Sequence, residues 1–479
     1  MHRRHTGPLL QLHLRDYVIG FVSCIKHGSA SGDTCFALNF DDGPRVDAIG
    51  CDITMECGEF AEYDTSGKVL SASRDSARAD DMKAKVSSFA AIATDKGAHR
   101  IGNPEVDAIT ERMWGSIIAA SKTIVRKMLV SAPIIIRFHN DADGSGGAYS
   151  LHLSLKDLAS KNRLAGNLVW LMHKGVTYRR SDAQNDMLIS NNYECIEKPL
   201  LILIDFGTSI ESNEGIDELA DRFDMVWLDH HPIQEGFRGV DLEDYINPWQ
   251  HGGDSNYTAG LLTSVLCRSF SDVDTGIFRD ASLIGDYSKY ASGFGSDISA
   301  LLDFITSDLQ AVYGRSKSNV TPQEIEDVIS SPSRSKELLD YANIKLEEAI
   351  DNGVKAVKRY ECRNSNLCLL DFENVRSEDS KYPLPGRYAS KLLGRLDEMG
   401  MKRTLLVVNI GAYLLMRVDR DLCNDFDMLG LIEEMKIRYP DSIEGGGGHR
   451  CAGTIKLMDK AMSKDMTNSL IALIKSRLG

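Results

Sequence analysis

The sequence predicts an α/β protein: a parallel-sheet domain, a smaller α/β domain C-terminal to it, and a small β-rich module ahead of both. Three observations carry this. Short continuous apolar runs (Ile134-Ile135-Ile136, Leu168-Val169-Trp170-Leu171, Leu200-Leu201-Ile202-Leu203-Ile204 and Met225-Val226-Trp227-Leu228) alternate with helical patterns. Strands buried on both faces of a parallel sheet read in this way. A second set of strand and helix patterns starts near Asn366 and runs to the C-terminal end, and short strand patterns separated by glycine-containing turns precede Asp80.

Taken in order, residues 17–22 and 35–40 are strands, the second followed by the turn Asp41-Asp42-Gly43. An OB-like barrel within 1–100 is the expectation. Residues 107–130 are a helix, because Ile109, Met113, Ile117, Ile118, Ile124, Val125 and Leu129 share one stripe, and Pro133 ends it. The first α/β domain then spans 108–315, with a helix over 151–160. Residues 321–357 are helical and charge-rich, a connector placed at 316–360. The last domain, 361–479, has a strand from Asn366, a helix over 388–396, and strands over 404–409 and 414–418. The run Gly445-Gly446-Gly447-Gly448 and a helix over 464–478 close it.

At 479 residues, ~100–200 per domain implies two to four domains. The 43% hydrophobic and 26% charged residues are ordinary for a globular chain. Ten scattered cysteines with no C-x-x-C pair argue against a zinc finger and for reduced thiols in a cytosol. The start Met1-His2-Arg3-Arg4 resembles that of a signal peptide, but Gln11, His13, Arg15 and Asp16 interrupt the apolar stretch that would have to follow. No run approaches the ~20 apolar residues of a membrane span. A cytoplasmic protein with no membrane partner is the expectation. The net charge of −14 repels polyanions overall. Residues 381–420 run against it, with eight basic residues to three acidic, a net +5. That stretch reads either as a solvated helix face or as a local anion-binding surface.

Four clusters carry the chemistry. His139-Asn140-Asp141-Ala142-Asp143-Gly144 follows the strand at 134–138. If the chain stays extended, His139, Asp141 and Asp143 point to one side. Carboxylates that close are costly without a cation, and Gly144, Gly146 and Gly147 allow close backbone approach. Asp205 ends the run 200–204, Asp229-His230-His231 ends 225–228, and Asp286 follows Ser282-Leu283-Ile284-Gly285. Open α/β sheets bind ligands at the carboxyl ends of their strands. Alone, an Asp there is ordinarily a turn or cap residue. Three separate strands that each end in metal-ligand residue types form a joint pattern that points to a metal site. Carboxylates and imidazoles without thiolates suit Mn²⁺ or Mg²⁺ better than Zn²⁺. The donors exceed the needs of one ion. Two divalent ions ~3.5–4 Å apart, sharing a carboxylate, are the usual arrangement for phosphate-ester hydrolysis.

These motifs, in this order, resemble the DHH phosphoesterase superfamily: H-x-D-x-D-G at 139–144, a strand ending in Asp205, Asp229-His230-His231, and a late Asp at Asp286. Gly446-Gly447-Gly448-His449 followed by Cys451-Ala452-Gly453 is similar to the signature of the DHH-associated C-terminal domain. Asn247-Pro248-Trp249-Gln250-His251-Gly252-Gly253-Asp254, then Ala259-Gly260, resembles archaeal RecJ-like proteins. The resemblance implies that His139 and Asp141 hold one ion and that Asp143, His230 and Asp286 hold the other, with Asp205 bridging. Mn²⁺ is the first expectation and Mg²⁺ the second. Asp229 would orient the histidines and His231 would contact the scissile phosphate. Arg417, Gly447, Gly448 and His449 would bind substrate. The activity implied is hydrolysis of single-stranded DNA or RNA by a RecJ-like exonuclease, with replication or repair proteins as further partners. The alternatives are a phosphodiesterase for short oligoribonucleotides or cyclic dinucleotides, and a non-catalytic replication-associated scaffold.

Overall fold

The computed structural model describes residues 100–478, apart from 130–131, 163–166, 176, 194–197, 207, 315–317 and 376–380, and the backbone of six strands before residue 100. Those strands are β1 (Leu10–Leu14), β2 (Tyr17–Cys24), β3 (Asp33–Asn39), β4 (Val46–Ile49), β5 (Glu59–Tyr63) and β6 (Val69–Arg74), paired antiparallel in chain order. Their side chains and connecting turns lie outside the described residues, and the OB-like reading with them.

The main division of the chain falls between Gly295 and Ser296. The first unit contains α1 (Pro104–Leu129), β7 (Pro133–His139), α2 (Ala142–Asn162), β8 (Asn167–His173), α3 (Arg180–Ser190), β9 (Leu200–Ile204), α4 (Asn213–Leu219), β10 (Asp224–Leu228), β11 (Asp244–Ile246), α5 (Ala259–Arg268) and α6 (Gly276–Gly285). Its five strands pair in the order β11-β10-β9-β7-β8, all parallel. All five residues of β9 are buried, as their continuous apolar run requires. From β7 the chain moves to one side for β8 and then to the other for β9. The carboxyl ends of β7 and β9 therefore bound a topological switch point, where such sheets form their binding crevice.

The second unit contains α7 (Ser296–Ser307), α8 (Leu309–Tyr313), α9 (Pro322–Ile329), α10 (Pro332–Ala356), β12 (Lys358–Cys362), β13 (Ser365–Asp371), α11 (Pro385–Glu398), β14 (Thr404–Asn409), β15 (Tyr413–Val418), α12 (Arg420–Cys423), α13 (Met428–Arg438), β16 (Ile443–His449), β17 (Ala452–Leu457) and α14 (Ser463–Leu478). Its mixed sheet runs β12-β13-β14-β15-β17-β16. Leu405, Val407, Leu414, Met416 and Ile455 of that sheet share one buried core with Leu431, Ile432 and Met435 of α13 and Leu470 and Ile474 of α14. Among the described residues no helix is long and apolar enough to cross a membrane.

Three expectations need correction. The helix read from 151 begins at Ala142, so Asp143 and the glycines after it are helical rather than extended. The single helix over 321–357 is two, because Pro332 lacks the N–H that would continue α9 and instead starts α10. The four-glycine run lies in β16 and pairs with β17. Finally, Cys423 and Cys451 form a disulfide, with Cα atoms 5.2 Å apart, across 28 residues of sequence. Chain length and the absence of C-x-x-C do not bear on cysteines that the fold brings together. Cys267, Cys362 and Cys368 are free thiols.

Candidate metal centre

Each candidate ligand is placed at the end or the start of an element. β7 ends at His139, and Asp205 follows β9 with its amide donating to the Leu228 carbonyl (2.9 Å). Asp205 has φ of 62°, a left-handed backbone that an Asp tolerates better than most residues. Asp229 follows β10, and its amide donates to the Ile246 carbonyl (3.2 Å). Asp143 lies in the first turn of α2, which packs so close to β7 that a Cβ on Gly144 would meet the backbone of His139. Two amides at the start of α5 donate to Asp143, Ala259 to Oδ2 (2.9 Å) and Gly260 to Oδ1 (2.8 Å). A Cβ on Gly260 would meet the Ser282 side chain and would come within 3.0 Å of that Oδ1, so glycine is required there. Asp286 ends α6.

These placements converge on one imidazole nitrogen. His230 Nε2 lies 3.1 Å from Asp286 Oδ2, 3.3 Å from Asp205 Oδ1 and 3.5 Å from Asp143 Oδ2. The other ring nitrogen, Nδ1, is 2.8 Å from the Ser255 carbonyl. Donation to that carbonyl fixes the ring and turns Nε2 toward the carboxylates, the usual orientation of a metal-binding histidine. His139 Nδ1 is 3.3 Å from Asp205 Oδ2, so Asp205 faces both histidines. Asp143 is 0% exposed and His230 1%. Burial works against a charged His230, yet the hydrogen bond to Asp205 and the nearby charges of Asp286 and Asp143 outweigh it. They hold the imidazole well above its ordinary pKa. A position that favours a proton this strongly suits a cation of higher charge, and the donor set fits divalent ions.

The predicted residues sort accordingly. Asp143, His230 and Asp286 offer ligand atoms within 4.8 Å of one another, as do His139, Asp141 and Asp205, and as do Asp205, Asp229, His230 and His231. The substrate-binding candidates lie in the mixed sheet. Ala452 of β17 pairs with Arg417 on one side and with His449 on the other. Arg417 donates through Nε to Ser390 Oγ (3.1 Å) and through Nη1 to the Met416 carbonyl (2.9 Å). Gly447 is exposed, and a Cβ on Gly448 would meet the Ala452 carbonyl. The His449 side chain lies outside the described residues.

Sequence reasoning missed three contributors: the Ser255 carbonyl and the Ala259 and Gly260 amides. Backbone donors and acceptors carry no residue signature. The basic stretch at 381–420 is also less cationic than its count implies. Arg387 pairs with Asp303, Arg395 with Glu347, Lys402 with Asp397 and Arg403 with Asp425.

No family model matches the chain. An uncharacterized protein of Methanocaldococcus jannaschii is 24% identical over 423 residues, covering 77% of this chain and 55% of its own length. The chain therefore spans about half the length of that curated relative. Among solved structures, the DHH domain of a member of a family of ribosomal proteins is 20% identical with a TM-score of 0.68, covering 84% of this chain and 99% of that one. RecJ of Thermus thermophilus, in complex with Mn²⁺, is 12% identical with a TM-score of 0.47, covering 81% of this chain and 57% of that one. The likeness to the first of these two structures shows that the chain has the DHH-domain fold.

Proposed function

We propose that the chain is a DHH phosphoesterase: a metal-dependent, single-strand-specific exonuclease that hydrolyses phosphodiester bonds of DNA or RNA. The observation that carries this reading is the convergence of Asp143, Asp205 and Asp286 on His230 Nε2, with His139 on the far side of Asp205. His139 and Asp141 would hold one ion, and Asp143, His230 and Asp286 the other, with Asp205 serving both. Mn²⁺ or Mg²⁺, bound there, supplies an activated water and neutralises phosphoryl charge. The chain's own groups do the rest. Ser255 holds the His230 ring, and the start of α5 holds Asp143. His231 contacts the scissile phosphate, and Asp229 supports the histidine pair. Arg417, Gly447, Gly448 and His449 bind the substrate, Arg417 as a phosphate ligand.

End-labelled single-stranded DNA and RNA, incubated with Mn²⁺ and separately with Mg²⁺, test this. The expected products are mononucleotides, and Asp143→Ala should abolish their release. The nuclease reading falls if wild-type protein releases none with either ion.

One observation favours a second reading, a phosphodiesterase for short oligoribonucleotides or cyclic dinucleotides. Four of the eight basic residues at 381–420 are ion-paired within the chain, which leaves less charge to track a long backbone. Chain-length dependence separates the two readings. A polymer nuclease should favour long strands and lose affinity steeply with salt.

A further inference from the structure

Two exposed aromatic rings flank the candidate ligands and have no part in the hydrolytic chemistry. Trp249 lies in the short 3-10 turn Pro248–His251, after which Gly252 turns the chain with φ of 70°. Its indole Nε1 donates to the His230 carbonyl (3.1 Å) and lies 3.2 Å from Ser255 Oγ, yet the residue is 43% exposed. Tyr287 directly follows the candidate ligand Asp286. It has a left-handed φ of 53° and is 53% exposed. The two loops are tied together. Ser288 Oγ donates to the Asn256 carbonyl (2.6 Å), and the Lys289 amide donates to Asn256 Oδ1 (2.8 Å). Both rings therefore ride on one hydrogen-bonded pair of loops that is anchored at His230 on one side and at Asp286 on the other.

A single exposed aromatic residue needs no explanation. Two of them, each fixed one residue or one hydrogen bond from a ligand of a phosphoester site, do. We propose that Trp249 and Tyr287 form a stacking platform for the nucleobases next to the scissile phosphate. The proposal rests on the single-strand reading above and adds a recognition element to it. Stacking tolerates any base, because every base has a π face. It also gives an acidic chain, with much of its basic stretch already ion-paired, a way to hold a strand with few phosphate contacts.

The test uses the full chain and two fluorescein-labelled probes of equal length, a single-stranded oligonucleotide and a base-free abasic strand. Binding is read by anisotropy in EDTA. Wild-type protein should prefer the base-bearing strand. Trp249→Ala and Tyr287→Ala should each weaken its binding by about tenfold and leave abasic-strand binding unchanged. Trp249→Phe should retain most of the affinity, since Ser255 Oγ, 2.8 Å from the His230 carbonyl, still satisfies that acceptor. Equal wild-type binding of both probes overturns the proposal. So does a Trp249→Phe defect as large as that of Trp249→Ala, which would assign the effect to the indole N–H. Hydrolysis of the same base-bearing strand with Mn²⁺ is scored separately. A base preference without hydrolysis removes the nuclease reading and keeps the platform, and hydrolysis without a base preference does the reverse.

Discussion

Two places where the parallel sheet of the first unit buries charge differ in how that charge is balanced. Arg137, in the middle of β7, is buried and forms a two-point pair with Asp186 of α3, through Nε at 3.1 Å and Nη2 at 2.5 Å. Tyr178 also donates to Asp186, at 2.8 Å. Burial alone would weaken Arg137's hold on its proton, but Asp186 strengthens it. Burial also pushes the Asp186 carboxyl up, against the pull of Arg137. The intrinsic basicity of the guanidinium decides the outcome, and the pair stays ionised. Two residues further along β7, at His139, the sheet reaches the other cluster. There three carboxylates share one imidazole nitrogen, and even a protonated His230 leaves carboxylate charge in excess within that group. Both regions have charged residues in a dry setting. The first is complete as protein, whereas the second keeps carboxylate charge in excess and would be completed by a cation.

The largest effect should come from unbalancing the balanced pair. Arg137→Met leaves Asp186 buried without its partner and should cost about 3–5 kcal/mol of stability, read from urea unfolding. Arg137→Met combined with Asp186→Leu should recover most of that loss, though the Tyr178 hydroxyl then lacks its acceptor. The metal centre should respond in the opposite sense. Mn²⁺ at a hundredfold over its dissociation constant should add ~2.7 kcal/mol. Asp205→Asn should abolish that gain while leaving the metal-free protein at least as stable as wild type, because it removes a carboxylate from a crowded group. If metal-free Asp205→Asn unfolds as readily as Arg137→Met, the contrast between the two regions is wrong.

Much of this was legible in the sequence. Apolar runs ending in Asp205 and in Asp229-His230-His231 located both the strands and their carboxyl ends. Asp143 does come together with His230 and Asp286, but from a helix rather than from an extended segment. Gly144, Gly146 and Gly147 lower helix propensity and give the segment no helical signal, yet close packing puts them in α2. A Cβ on Gly147 would come within 3.1 Å of Gly260 Cα. The four glycines of β16 carry no strand signal of their own, since glycine weakens strands, and pairing with β17 places them in the sheet. The basic stretch misled because a count along the chain omits acids that are distant in sequence, such as Asp303, Glu347 and Asp425. The Cys423–Cys451 disulfide had no local signature at all.

Asp244 shows a third fate for a buried carboxylate and gives the smallest effect. It sits on β11, the edge strand of the same sheet, and accepts a hydrogen bond from Thr123 Oγ1 (2.7 Å). Burial pushes its carboxyl up to about 6, against the Thr123 hydrogen bond and with help from Glu243 and Asp224. This group is neither paired with a cation, as Asp186 is, nor gathered with other candidate ligands, as Asp205 is, and below about pH 6 it sheds its charge by taking a proton. The folded state then binds that proton more tightly than the unfolded chain does, so its stabilising contribution is complete below the ordinary carboxylate pKa and is lost as pH rises through about 6. The difference between wild type and Asp244→Asn isolates this group from the other titrating side chains. That difference should shift against wild type by about 1–2 kcal/mol between pH 4 and pH 7, read from urea midpoints across that range. A flat difference would mean that Asp244 stays ionised in the fold, and the sheet would then tolerate unbalanced charge away from its metal centre.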